Sequence, residues 1–313
     1  MSRNRMVGAS LVVLTVLFVS AQAFSADKVV LRHVYKAGEK YLAVISQDTD
    51  INQQPPGGGN PVAIKQTMRM DMSMNVLSVA DDGTADVKVT YDHVALKQDS
   101  PYGKTDYDSA DPGKKDANDP VLVGFKALLG QSLTMTITRR GEVKKVQGIN
   151  KIIDAVLEQV PAGEQREAAR RQVGQMMNEE HFSEQMSGLG VTFPEEAIGV
   201  GDAWDREQKM DLGFVNLVVK TNYKIDRMVG DAVEMTVVGT VSSGGEPAAG
   251  TPLKVSIEPG SRQQGKVTLS RANPTLADTQ VTQHIIMTVT VGPQSIKQTV
   301  DGTVSVTVKR AGN

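Results

Sequence analysis

One short stretch, Thr67 to Val76, sets the strongest constraint on what this chain can become. Met68, Met70, Met72, Met74 and Val76 are apolar, while Thr67, Arg69, Asp71, Ser73 and Asn75 between them are polar. A period of two sends the two sets to opposite faces of a pleated strand, whereas a helix would scatter the methionines around its circumference. The stretch therefore reads as a half-buried strand. Asp81-Asp82-Gly83 then supplies turn chemistry, and Ala85, Val87, Val89 and Tyr91 mark the apolar face of a second alternating run. The unit is a β-hairpin that the rest of the chain repeats, packs against or connects.

A chain of 313 residues with 40% hydrophobic content can bury a sizeable core, as one large domain or as two similar halves. The formal net charge of -2 becomes -4 if Arg3 and Arg5 leave with a leader, and no basic stripe is present to neutralise phosphates, so a nucleic-acid partner is not expected. Cysteine is absent, which excludes disulfides, thiolate metal sites, cysteine nucleophiles and a lipoprotein acylation site. Residues 1–23 read as a secretory signal peptide. Arg3 and Arg5 form the positive n-region, Met6 to Val19 the apolar core, and Ala21-Gln22-Ala23 the cleavage site. The competing reading is an uncleaved anchor; the small-residue site and the lack of an immediate basic stop-transfer flank favour cleavage. The expected location is periplasmic or extracellular, with no membrane span after cleavage.

Along the chain, Val29 to Tyr35 and Tyr41 to Ile51 read as strands, and the Pro-Gly loop from Gln54 to Pro61 leads into the methionine-faced strand. Gln98 to Asn118 is an exposed, polar excursion with room for one edge strand around Tyr107. Asp119-Pro120 starts a helix as N-cap and first helical residue, Gly130 ends it, and Val121, Leu122, Phe125, Leu128 and Leu129 mark its apolar face. Leu133 to Thr138 and Val143 to Val146 form a further hairpin. Asn150 to Gly188 is the one long helical region, broken at Pro161. Strand patterns resume after Gly201, with Leu217, Val219, Tyr223 and Ile225 on one face and Val233, Met235, Val237 and Val241 after the Gly230-Asp231 turn. The last hairpin runs from Val281 to Val291, turns at Gly292-Pro293, and returns from Ile296 to Val308.

The second series of strands resembles the first. Gly38-Glu39-Lys40-Tyr41 parallels Gly201-Asp202-Ala203-Trp204, and Gly130-Gln131-Ser132-Leu133-Thr134 parallels Gly265-Lys266-Val267-Thr268-Leu269. Shared strand composition is the competing explanation, since only the Gly-acid-x-aromatic match is distinctive. The expected fold is α+β: a mostly antiparallel sheet in two related halves, forming an open curved sheet or half-barrel covered by a few helices. The segments are a leader at 1–23, a first β-rich half at 24–149, a helical connection at 150–190 and a second β-rich half at 191–313.

Asp81-Asp82-Gly83, Tyr107-Asp108-Ser109 with Asp111-Pro112, Gly141-Glu142-Val143 and Gly201-Asp202-x-Trp204 together resemble a bacterial family of secreted proteins known only as a domain of unknown function. The resemblance covers nearly all of the chain after the leader, the clearest departure being the Pro-Gly insertion at residues 55 to 61. It implies export and a β-rich fold. It implies no activity, cofactor or catalytic residue.

The chemistry-bearing side chains are scattered. His33, His93, His181 and His284 sit in no H-E-x-x-H pattern, and no G-x-S-x-G elbow occurs. Gly103-Lys104-Thr105 mimics the end of a phosphate loop, but Gln98 stands where its first glycine belongs. Asp106, Asp108 and Asp111 offer carboxylates to a calcium ion, with Ala110 at a ligand position and no closing glutamate. The row Met68, Met70, Met72, Met74 is the unusual feature. Such a row is most often the core face of a strand; it could also line a pocket for a flexible apolar ligand, or offer thioethers to copper(I). No cofactor and no catalytic residue are expected. The leading expectation is a non-enzymatic exported protein that binds an apolar or amphipathic ligand, such as a lipid, between sheet and helices, with the methionine row on its wall. The alternative is an envelope structural or protein-interaction module with a dry core.

Overall fold

The computed structural model describes residues 28–55, 59–101, 103–114, 122–158, 162–167, 190–211, 215–245 and 253–312, with residues 170, 183 and 186. The leader at 1–23, the Asp119-Pro120 helix start, the break at Pro161 and most of the helical stretch to Gly188 lie outside the described residues. The strands are β1 (Lys40–Gln54), β2 (Val62–Val79), β3 (Ala85–Ser100), β4 (Gly103–Asp108), β5 (Ser132–Ile137), β6 (Val143–Gln147), β7 (Ala203–Asp211), β8 (Asn216–Val229), β9 (Ala232–Ser243), β10 (Leu253–Ile257), β11 (Arg262–Ser270), β12 (Ala277–Val291) and β13 (Gln294–Arg310). Among the described residues, the helices α1 (Leu122–Leu128) and α2 (Ile149–Leu157) interrupt them.

All thirteen strands belong to one sheet, ordered β6-β5-β3-β2-β1-β13-β12-β11-β9-β8-β7, with β4 added to β3 and β10 to β12. The sheet is antiparallel throughout and does not close, since β6 and β7 remain edges. β13 joins the two series of strands by pairing β1 on one side and β12 on the other.

The hydrophobic alternation places one apolar set on the same face from strand to strand, because residues directly opposite in an antiparallel ladder share a face. Met70 lies opposite Ile45 and Val94, and Ile45 lies opposite Val306, which is opposite Thr279. Glycines on this face let neighbouring backbones approach closely. A Cβ on Gly265 would collide with the carbonyl oxygen of Gln280 and with Val281, and one on Gly239 would lie 2.7 Å from the Lys220 carbonyl. Side chains at those points would hold the strands apart, so bare backbone lets the sheet curl.

The opening of β7 repeats the opening of β1. Gly38 N–H donates to Val76 O (2.9 Å), Val76 N–H to Glu39 O (3.0 Å) and Glu39 N–H to Lys36 O (3.0 Å). Gly201 N–H donates to Ile225 O (2.8 Å), Ile225 N–H to Asp202 O (2.9 Å) and Asp202 N–H to Gly199 O (3.0 Å). Both glycines hold positive φ, 84° and 90°, which a side chain would resist. Immediately beyond, both β2/β3 and β8/β9 carry a register shift, between Val76 and Ser78 and between Ile225 and Arg227. The match read between Gly130 and Gly265 does not share this geometry. Gly130 is a turn residue at φ 73° ahead of β5, while Gly265 sits inside β11. Pairing instead sets Met135, opposite Val87, in the place that Val267 takes opposite Met235.

The Val29 to Tyr35 stretch is not a ladder strand. It alternates as one, with Leu31 and Tyr35 buried and Val30 and Val34 exposed, but its only bridge among the described residues is Val29 to Ile198. It crosses the end of the sheet, where His33 N–H donates to Arg139 O (2.8 Å). Burial of one face alone gives an extended segment this alternation, with or without a neighbouring strand to pair. The polar excursion does contain the edge strand expected around Tyr107, as β4.

Candidate ligand-binding cavity

Counting back from the matched hydrogen bonds at Val76 and Ile225, the β2 positions Met74, Met72, Met70 and Met68 correspond to Tyr223, Thr221, Val219 and Leu217 on β8. The two rows have different surroundings. Met72 is 8% exposed and belongs to a core cluster with Tyr41, Val89 and Tyr91, into which α2 inserts Ile152, Ile153 and Leu157. Met68 and Met70 pack against the cluster of Leu122, Val94, Leu96 and Tyr107, alongside Phe125 and Leu129. The connection between β3 and β5 supplies that filling, since it carries α1.

Between β9 and β11 the corresponding connection supplies β10, which extends the sheet along β12 instead of crossing its face. The counterpart row stays open. Leu217, Val219, Thr221 and Tyr223 all line a cavity of about 700 Å³ whose wall draws side chains from β7, β8, β9, β10, β11, β12 and β13. Met68, Met70, Met72 and Met74 are not part of that wall. Aliphatic groups dominate it, among them Val241, Ile257, Ile285, Met287, Val304 and Val306. Its size and composition fall within the range of small-molecule sites, roughly 300 to 1,000 Å³ and mostly apolar.

Tyr223 on the cavity wall is one member of an aromatic ladder that continues through Trp204 and Phe193 to His33. Phe193 lies 5.3 Å from His33 and 6.4 Å from Trp204, and Trp204 stacks on Tyr223 at 5.3 Å. The 190–194 segment is tied down by Trp204 Nε1 donating to Thr192 O (3.0 Å) and Arg140 Nε donating to Phe193 O (2.8 Å). Burial lowers the His33 pKa to about 4, opposed by its contact with the Val191 carbonyl. Burial also raises the Tyr223 hydroxyl, while Arg206 beside it pulls the other way. Among the described residues of the cavity wall, Arg206 is the one charged side chain, and it donates through Nη1 to Gly190 O (3.1 Å).

The other residues singled out in the sequence lie elsewhere. His93 sits 2.8 Å from Asp108 and 3.5 Å from Asp71 on the outer face, and His284 sits 2.6 Å from Asp301. His181 lies outside the described residues. Asp108 also accepts from Ala110 N–H, Asp111 from Gly113 N–H, and Asp106 pairs with Lys114. The His93 contact, first, and the Ala110 and Asp111 amides hold the Asp108 carboxyl below its usual range. Among the described residues, no group of three or more His, Asp or Glu is placed to hold a metal ion. Gly103-Lys104-Thr105 begins β4.

The sequence profile of a family of unknown function (DUF6263) matches residues 82–274. The chain belongs to this family. The matched span includes Arg206, Thr221 and Gln263 of the cavity wall, whereas the β12 and β13 part of the wall follows it in sequence. No curated protein matches the chain. It is similar to solved outer-membrane proteins at very low identity. For OccK5 (OpdH) of Pseudomonas aeruginosa the identity is 5%, covering 87% of this chain and 98% of that one, with a TM-score of 0.22. For an outer membrane channel from Pseudomonas putida F1 it is 8%, covering 88% and 97%, with a TM-score of 0.22. Scores this low carry no inference about fold or role. Among the described residues, no helix is long and apolar enough to cross a membrane.

Proposed function

We propose that this protein is an exported, non-enzymatic carrier that holds an apolar or amphipathic ligand, such as a lipid, on the inner face of its second half. The observation that supports this is the 700 Å³ cavity, lined mostly by aliphatic side chains from seven strands. We read the halves as related by duplication, on the repeated hydrogen bonds at Gly38 and Gly201 and the repeated register shifts. In that reading the first half shows what fills such a face: Leu122, Phe125 and Leu129 lie where the second half leaves space, so the methionine row packs against the chain's own helices. Export rests on Arg3, Arg5 and the Ala21-Gln22-Ala23 site.

Solvent extraction of the purified, folded protein followed by mass spectrometry tests the carrier. A stoichiometric apolar or amphipathic molecule is expected. An extract with none, together with no uptake of added lipid, would leave the envelope interaction module as the better account.

A further inference from the structure

A row of polar residues and glycines crosses the inner face of the sheet at a single level. Thr221 lies opposite Gly239, Gly239 opposite Gln263, Gln263 opposite Gln283, Gln283 opposite Gly302 and Gly302 opposite Thr49. Beyond Thr49 the row continues through Gln66 and Gln98 to Thr105. Two residues away along the strands of the second half the face is apolar again: Val219, Val241 and Ile285 on one side, Tyr223, Val237 and Val281 on the other. Gln263 on β11 reaches across β9 and donates through Nε2 to Thr221 Oγ1 on β8 (3.1 Å). The bare backbone of Gly239 makes room for that reach, since a Cβ there would lie 2.9 Å from the same nitrogen. The row is therefore a built feature of the cavity wall.

In the first half the chain serves this row itself: Thr49 is 9% exposed and accepts from Gln47 Nε2 (3.0 Å). In the second half the cavity lies against it. Thr221 is served by Gln263, but the Gln263 carbonyl and the whole Gln283 side-chain amide make no hydrogen bond among the described residues. A glutamine amide offers N–H donors and a carbonyl acceptor, so the row presents both kinds of group to whatever fills the space. An uninterrupted hydrocarbon laid across it would strip these groups of water and return nothing, at a cost in free energy for each. An amide or a hydroxyl both donates and accepts, and would satisfy them. The row crosses the cavity inside its length rather than at its end. On β12, Thr279, Val281, Gln283, Ile285, Met287 and Val289 all line the wall, which at strand rise runs about 13 Å from Gln283 to Thr279 and about 20 Å from Gln283 to Val289.

We infer that the ligand carries an uncharged amide or hydroxyl within its chain, hydrogen-bonded to Gln263 and Gln283, with an apolar segment on either side. One segment lies toward Val281 and Val237, the other along Ile285, Met287 and Val289. This rests on the carrier reading and goes one step beyond it, so the test separates the two.

Nonadecan-10-ol, N-octyldecanamide, nonadecan-1-ol and nonadecane share a chain length and differ in whether, and where, a polar group interrupts it. In displacement of N-phenyl-1-naphthylamine from the full-length protein, the internal alcohol, the internal amide or both should bind about tenfold or more tightly than the terminal alcohol and the hydrocarbon. The stronger of the two identifies the group. Gln283→Met keeps the side chain's length, breaks no hydrogen bond within the protein and should cut the preference to about threefold or less. If nonadecan-1-ol or nonadecane binds wild type as tightly as both internally substituted chains, or if folded Gln283→Met keeps the full preference, the inference is overturned and the carrier stands. If none of the four binds and the fluorescent probe is not taken up, the carrier itself falls and this inference with it. Should Gln283→Met fail to fold, the wild-type order still decides.

Discussion

Met72→Ala and Val219→Ala change residues on the same inner face, one in the packed half and one beside the cavity, and should differ severalfold in their effect on stability. Met72 is 8% exposed and packed in the first core cluster. Truncating it removes buried contacts and leaves a void, a change worth about 2 to 5 kcal/mol for such residues. The lower part of that range is expected, because Met70 and Met74 flank the site and methionine repacks readily. Val219 already borders about 700 Å³ of space, so its truncation creates no new void. Its two methyl groups would each contribute about 0.8 kcal/mol if fully buried, and partial burial brings the total below about 1 kcal/mol. Urea unfolding reads both. With a slope of about 3 kcal/mol/M for a chain of this size, Met72→Ala should lower the midpoint by at least about 0.7 M and Val219→Ala by less than about 0.3 M. Equal losses with unchanged slopes would mean that the second half is packed as densely as the first, and the reasoning from an open face would be wrong.

Gly265→Ala should destabilise by about 1 to 3 kcal/mol or more, read as a fall in melting temperature, because its Cβ would meet the Gln280 carbonyl rather than a movable side chain. A neutral result would show that the sheet does not curl through β11 as described. His33 gives a pH dependence. Its folded pKa of about 4 lies below the ordinary histidine value of 6.5, so between these values the unfolded chain binds the extra proton. Its share of stability is therefore complete above about pH 6.5 and is lost as the pH falls toward 4, by at most about 3 kcal/mol. His33→Leu should flatten that part of the stability profile measured by chemical unfolding, and an unchanged slope would assign it to other groups.

Most of the sheet was legible because its faces alternate. The Met68–Met74 row, the Leu217–Ile225 row and the final hairpin all lie on strands whose inner side is apolar, and a period of two survives whatever the strand pairs with. The same insensitivity misled at Val29 to Tyr35, where alternation came from burying Leu31 and Tyr35 on one side of an extended segment rather than from a ladder. The cavity could not be located from the methionines, because two homologous-looking rows differ only in what the following connection does: α1 returns over one, β10 extends the edge of the other. Arg206 stands in no motif that singles it out in the sequence. The polar positions of this face leave one signal in the sequence, interruptions of apolar runs: Thr221 between Val219 and Tyr223, Gln283 between Val281 and Ile285, and Gly302 between Val300 and Val304. Only strand register brings those interruptions to one level.

Blocking the cavity tests the central claim most directly. Val219→Trp places an indole on its wall, and Val238→Trp places the same group on the outer face of β9, where the native side chain is 52% exposed. Uptake of N-phenyl-1-naphthylamine, read as saturable fluorescence enhancement with folding checked by circular dichroism, should persist in wild type and Val238→Trp and fall about tenfold or more in folded Val219→Trp. Equal uptake by all three, or none by the wild type, would contradict a ligand cavity on this face.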